Sequence, residues 1–186
     1  MGARLISTEE VFEGEKVRLR LLNLDDCTEQ YLSWLQDPLV NQFLETRWEI
    51  QTLEKIRDFA ASTLLSDTNY LFAILDRTDG MHVGNIKLGP INLYHAYSEL
   101  SYFIGERSRW GLGLATDSIR IVTRIAIEKL NLDRLQAGVY QSNLSSCRAL
   151  IKAGYQKEAV FKKKLKRDLG REDHLYYCYA NPYFSN

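Results

Sequence analysis

Arg107-Ser108-Arg109-Trp110-Gly111-Leu112-Gly113-Leu114-Ala115-Thr116 joins an apolar run, Leu100-Ser101-Tyr102-Phe103-Ile104, to a strongly amphipathic segment. Two glycines one residue apart let a backbone turn sharply and come close to a ligand, because no Cβ intervenes. The first N–H groups of a helix have no partner inside it and carry partial positive charge. With Arg107 and Arg109 beside them, such amides suit a phosphate group. A bare Gly-x-Gly equally fits an ordinary strand-to-helix turn, so the flanking chain has to decide.

Downstream, Ala115, Ile119, Val122 and Ala126 form one stripe, widened by Ser118 and Ile125, while Arg120, Arg124 and Glu128 face away. That is a helix covering a sheet. Residues 134–140 read as a strand, and Asn143 starts a further helix closed by Gly154. Two late strands, about 155–166 and 174–180, turn through Asp168-Leu169-Gly170. Upstream, Val17, Leu19 and Leu21 alternate with Arg18 and Arg20 as a half-buried strand. Asn23-Leu24-Asp25-Asp26 caps a helical stretch carrying Tyr31, Trp34 and Leu35, and Thr52 caps another with Ile56, Phe59 and Ala60 inward. Residues 70–75 hairpin through Thr78-Asp79-Gly80 into 83–88, which Gly89-Pro90 is expected to end. The order, hairpins first and a strand–helix–strand crossover in the middle, predicts an α/β (α+β) sandwich with a mixed sheet between helices.

The 186 residues suit one compact domain, expected over 16–182 behind a loose N-terminal arm at 1–15. Twenty-four basic residues balance twenty-four acidic ones, which argues against a nucleic-acid partner. The basic run Lys162-Lys163-Lys164-Leu165-Lys166-Arg167 reads as a solvated hairpin. No apolar run approaches the roughly 20 residues of a membrane span, and no leader pattern opens the chain, so a cytoplasmic location is expected. Cys27, Cys147 and Cys178 are unpatterned and read as reduced thiols, and His82, His95 and His174 lack metal-ligand spacing. No metal is expected.

Three segments resemble the GNAT acyltransferase superfamily, and within it the RimJ/RimL-type branch. Glu99-Leu100-Ser101-Tyr102-Phe103-Ile104-Gly105 is similar to that family's fourth strand. Trp110-Gly111-Leu112-Gly113-Leu114-Ala115-Thr116 is similar to its pyrophosphate loop, and the stretch from Asn143 through Ser146 to Gly154-Tyr155 to its Asn-x-x-Ser…Gly-Tyr/Phe helix. The departures are Ser108, where the superfamily usually has Arg or Gln, and Leu150, where many members carry a tyrosine general acid.

The resemblance implies a mostly antiparallel sheet of about seven strands, with a splayed strand pair forming an acyl-CoA cleft. Acetyl-CoA is then the co-substrate, held by residues 109–116 (Arg109, Trp110, Gly111, Leu112, Gly113, Leu114, Ala115 and Thr116), by Asn143, and along the Ser101-Tyr102-Phe103 edge. Donors on such an edge also suit the negative charge that develops during acyl transfer. Glu99, beside that edge, is the candidate base, since an amine with a pKa near lysine's is charged at pH 7. Glu45 and Glu106 stand as alternatives, and Glu99 also fits a solvated strand-edge carboxylate. Asn143 and Ser146 fit ordinary helix capping; in the branch the matching serine lies near the thiolate, which makes Ser146, or water, the candidate acid. Trp34, Phe43, Glu45, Arg47 and Asn85 fall where the family forms its acceptor wall, although such aromatics are more often core. The implied activity is direct N-acetylation of a primary amine, that of a small molecule or amino sugar, with a protein N-terminus as the alternative acceptor. A non-catalytic acyl-CoA sensor and an unrelated nucleotide-binding domain remain as readings of other classes. A monomer or a homodimer suits the chain.

Overall fold

The structure, a computed structural model, describes residues 5–182. Among the described residues, eight strands form one sheet in the order β1-β2-β3-β4-β5-β6-β8-β7. They are β1 (Val11–Glu13), β2 (Val17–Leu21), β3 (Tyr70–Asp76), β4 (His82–Asn92), β5 (Tyr97–Ile104), β6 (Arg134–Tyr140), β7 (Gln156–Arg167) and β8 (Gly170–Ala180). The helices are α1 (Glu29–Gln36), α2 (Pro38–Asn41), α3 (Leu53–Leu64), α4 (Leu114–Glu128) and α5 (Leu144–Lys152). All strand pairs are antiparallel except β5 with β6.

The mixed, mostly antiparallel sheet is as expected, with eight strands among the described residues where about seven are expected. Two sequence expectations need correction. The eighth strand lies in the segment expected as a loose arm: β1 pairs with β2, and Ile6 is fully buried in the main core. Too few residues alternate there to show a strand, and β1 exists because its partner supplies the ladder. Gly89-Pro90 does not end β4. The strand continues to Asn92, with a shift of register between Leu88 and Ile91. At such a bulge a proline's missing N–H leaves no ladder bond broken.

Alternation along the strands builds two cores. On one face Leu19, Phe72, Ile86 and Leu135 meet Ile119, Val122 and Leu150 from α4 and α5. On the other, Leu71 and Ala73 meet Tyr31, Trp34, Ile56 and Ala60 from α1 and α3. Side-chain caps fix most helix starts: Asn23 makes a capping box with Asp26, and Thr28, Asp37, Thr52 and Asn143 each accept a first-turn N–H. Helix α4 differs. Its N-cap is Gly113 at φ +87, with no capping side chain. Asp117 on α4 is buried because its carboxylate accepts the N–H groups of Lys16 (2.7 Å) and Val17 (3.1 Å), tying the β1–β2 turn to the helix.

Gly84 on β4 allows the β5 backbone to approach. A Cβ there would lie 2.2 Å from the Phe103 carbonyl oxygen and 2.8 Å from the Ile104 Cα. Backbone cannot rotate away as a side chain can, so Gly84→Ala is expected to cost about 1–3 kcal/mol of unfolding free energy in urea titrations. A loss below about 0.5 kcal/mol, within the range of ordinary surface substitutions, would show that β5 yields freely.

Candidate active site

Strands β5 and β6 pair only through Tyr97–Arg134, Ser98–Leu135 and Glu99–Gln136. Beyond that point β5 continues to Ile104 beside β4 alone, and β6 to Tyr140 beside β8 alone. The gap opens into a cleft of about 1250 Å³. Ser101, Tyr102 and Phe103 line it from β5, Gly111 and Gly113 from the glycine loop, and Asn143 and Ser146 from the start of α5. Segments far apart in the chain thus converge where the sheet parts.

The loop has the geometry that its glycines require. Gly111 and Gly113 sit at φ +78 and +87, and a Cβ on Gly111 would meet open space. With α4 uncapped, its first N–H groups have no side-chain acceptor. Two expected members of the loop behave otherwise. Arg109 lines the cleft, but its guanidinium pairs with Asp76 at 3.1 Å and with Asp79. The Thr78 N–H and hydroxyl, helped by Arg109, hold the Asp76 carboxyl below its ordinary value. Leu112 is half exposed and outside the cleft lining, and its carbonyl accepts from Lys16 Nζ at 2.6 Å. Lys16 therefore braces the loop from the β1–β2 turn, and no spacing in the sequence signals that contact. Trp110 anchors the loop at its other end, its indole N–H donating to the Ile104 carbonyl at 2.8 Å. These residues fit a diphosphate through backbone amides more than through Arg109.

Glu99 lines the cleft and accepts from Gln136 Nε2 at 3.2 Å. Of its two alternatives, Glu45 also lines the cleft, where Tyr140 donates to it at 2.7 Å. Burial, reinforced by that carboxylate, pushes the Tyr140 phenol up to about 12, so it stays protonated. Glu106 is occupied elsewhere, accepting from the Ser108 N–H (3.2 Å) and hydroxyl (2.7 Å). Asn143 spends its side-chain oxygen on the Ser146 N–H at 3.2 Å. The Ser146 carbonyl accepts from the Tyr102 hydroxyl at 3.2 Å, and burial raises the Tyr102 pKa. Phe43 lines the cleft, its ring tilted against Tyr140 with centroids 5.7 Å apart.

Two residues expected on the acceptor wall are not part of it. Trp34 is 5% exposed and edge-on to His82 at 5.2 Å, beneath Gly105, where a Cβ would lie 2.2 Å from the indole. It shares the sheet-facing side of α1 with Tyr31 and Leu35, and burial there decides its place. Arg47 lies outside the main cleft. Its guanidinium donates to the Gln42 and Lys166 carbonyls and to Tyr140, and it packs 4.3 Å over Trp48. It clamps the turn at Glu45–Trp48 onto the far end of the sheet. Asn85 is 2% exposed yet borders the cleft, and His82 contacts its Oδ1 at 2.8 Å.

The structure also adds residues that the sequence did not single out. Strand register puts Lys87 opposite Ser101, Gly138 opposite Tyr176 and Tyr140 opposite His174. Lys87, Tyr140, His174 and Tyr176 all line the cleft. A Cβ on Gly138 would lie 2.3 Å from His174 Nε2, so the glycine makes room for the imidazole. Burial lowers the His174 pKa, with Lys164 adding to the shift, and favours the neutral ring at pH 7. Arg148 and Lys152, one turn apart on α5, bring positive charge to the same cleft. Their four-residue spacing was visible; which side of α5 faces the gap was not. Among the described residues no group of three or more His, Cys, Asp or Glu is placed to hold a metal ion.

The comparisons agree with this architecture. Residues 16–156 match the family model described as acetyltransferase (GNAT) domain. The chain is 34% identical over 122 residues to the probable N-acetyltransferase YjcK of Bacillus subtilis (strain 168), a match spanning 64% of this chain and 66% of that protein. A structure of RimL, a ribosomal L7/L12 alpha-N-protein acetyltransferase in complex with coenzyme A, superposes with a TM-score of 0.81 at 13% identity, covering 92% of this chain and 98% of that one. A spermidine N-acetyltransferase SpeG chimera from Vibrio cholerae and hSSAT gives 0.77 at 15% identity, covering 88% and 95%. At these identities the structural likeness concerns the fold.

Proposed function

The chain belongs to the GNAT acetyltransferase family, and we propose that it is an acetyl-CoA-dependent N-acetyltransferase acting on the primary amine of a small molecule or amino sugar. The observation that carries this reading is the parting of β5 from β6 after Glu99–Gln136, with the uncapped glycine loop and a carboxylate on the same cleft. Acetyl-CoA, when bound, supplies an activated acetyl thioester. The N–H groups around Gly111 and Gly113 hold its diphosphate, and the open edge of β5 pairs with its extended arm.

Glu99 takes a proton from the acceptor ammonium, directly or through water, leaving the neutral amine to attack. N–H groups on the β5 edge stabilise the negative charge that develops on the carbonyl oxygen. As the C–S bond breaks, the attacking nitrogen gives up its surplus proton, and the Ser146 hydroxyl or a water relays a proton to the sulfur. Cys147 takes no part: it is 8% exposed, inside the core.

The test is thiol release from acetyl-CoA with the full chain, screened against amino sugars, polyamines and N-terminal peptides. Release with an amine and none without one is the expected result. Tight CoA binding with no release from any amine would favour a sensor, and turnover of peptides alone would move the acceptor to protein N-termini. Ser146→Ala is expected to lower kcat by less than about 10²-fold, the lower end of general acid–base contributions, because water can replace the hydroxyl. A loss of 10³-fold or more would make the serine indispensable.

A further inference from the structure

Lys87 is a lysine set into the wall of the cleft, half-buried, and its ammonium makes no hydrogen bond or ion pair with any described residue. It stands opposite Ser101 on β5, on the sheet face that also carries Glu99 two residues away. Burial lowers its pKa while the Glu99 charge raises it. A half-desolvated ammonium without a bonded counter-ion is costly unless a ligand supplies one. Two residues along β4, on the same face, Asn85 is buried with its amide against the Tyr31 hydroxyl. The cleft therefore presents an ammonium lacking an acceptor beside the Glu99 carboxylate, which pairs with no cation among the described residues. Burial keeps the Tyr31 hydroxyl protonated, with its pKa near 12, so it brings no competing negative charge.

We propose that the acceptor carries an anionic group beside its amine, and that Lys87 binds that anion while the amine faces Glu99. This rests on the N-acetyltransferase reading above and narrows its acceptor to amines bearing a carboxylate or phosphate. The separated charges of Lys87 and Glu99 match a ligand with both signs; a plain polyamine would set a second cation against Lys87. Hydrogen bonds to charged groups in such a setting correspond to roughly 10–100-fold in KM.

The experiment compares acetyl transfer by the full chain to matched amines, alanine against ethylamine and glucosamine 6-phosphate against glucosamine. The anionic member of at least one pair is expected to show a KM about 10–100-fold lower, which also identifies the anion as carboxylate or phosphate. Lys87→Met removes that preference, raising the KM of the anionic member toward that of the neutral one, and Lys87→Arg retains most of it with the charge and the fold kept. Equal KM within both pairs, or a preference that survives Lys87→Met, overturns the proposal. Turnover of the neutral amines leaves the acetyltransferase reading standing in either case, so the two can fail separately.

Discussion

Glu99→Gln is expected to lower kcat/KM for the acceptor by ~10²–10⁴-fold, the span ascribed to a positioned general base. The substitution keeps shape and volume, and the introduced amide oxygen can still accept from Gln136 Nε2, as Glu99 does at 3.2 Å. What disappears is the capacity to take a proton. Acetyl-CoA affinity should therefore stay the same, and the pH dependence of kcat/KM should change, since the acceptor ammonium must then lose its proton to solvent. The competitor is His174, which lines the same cleft, is neutral at pH 7 through burial, and feels the charges of Glu45 and Glu99. If it is the base, Glu99→Gln leaves the profile as it was and His174→Asn changes it. An unchanged profile in both variants would take the proton-accepting role away from side chains altogether.

The second large effect is expected in the loop. Gly113→Val puts a β-branched residue at φ +87, where such residues are outliers, and strains the turn by about 1–2 kcal/mol. That strain alone lowers Tm by a few degrees in a chain of this size. The larger consequence falls on binding, since the N–H groups at the start of α4 must all point one way to share a diphosphate. Losing one or two hydrogen bonds to a charged group, at roughly 1.5–3 kcal/mol each, weakens acetyl-CoA binding on the order of 10²-fold or more. Calorimetry measures this directly, and the Tm rise that acetyl-CoA gives the unsubstituted protein should shrink in parallel. Gly113→Val binding acetyl-CoA within threefold of the unsubstituted chain would place the diphosphate elsewhere.

Much of the architecture was legible because local rules and tertiary structure agreed. The alternation in β2, the stripe on α4, the caps at Asn23, Thr52 and Asn143 and the left-handed Gly154 at the end of α5 all express side-chain chemistry that acts over a few residues. The glycine loop was legible for the same reason: Gly111 and Gly113 hold backbone angles that few other residues adopt.

Trp34 and Trp48 show where that reasoning runs out. They are chemically alike and fourteen residues apart, yet one is core and the other half exposed, and only the packing of α1 on the sheet separates them. Arg109 and Lys16 make the same point with charge. The arginine beside the glycines is taken by Asp76 and Asp79, whereas a lysine from the β1–β2 turn reaches the loop.

By itself the sequence determined the elements, the family likeness and the backbone chemistry of the loop, since each depends on neighbours within a turn or a strand. The tertiary structure alone decided which polar side chains share the cleft: Lys87, Glu99, Tyr140 and His174 lie on four different strands. Pairing register and the point at which β5 leaves β6 bring them together. Register is settled by burying whole faces of a sheet at once, a sum over many residues that no short stretch contains.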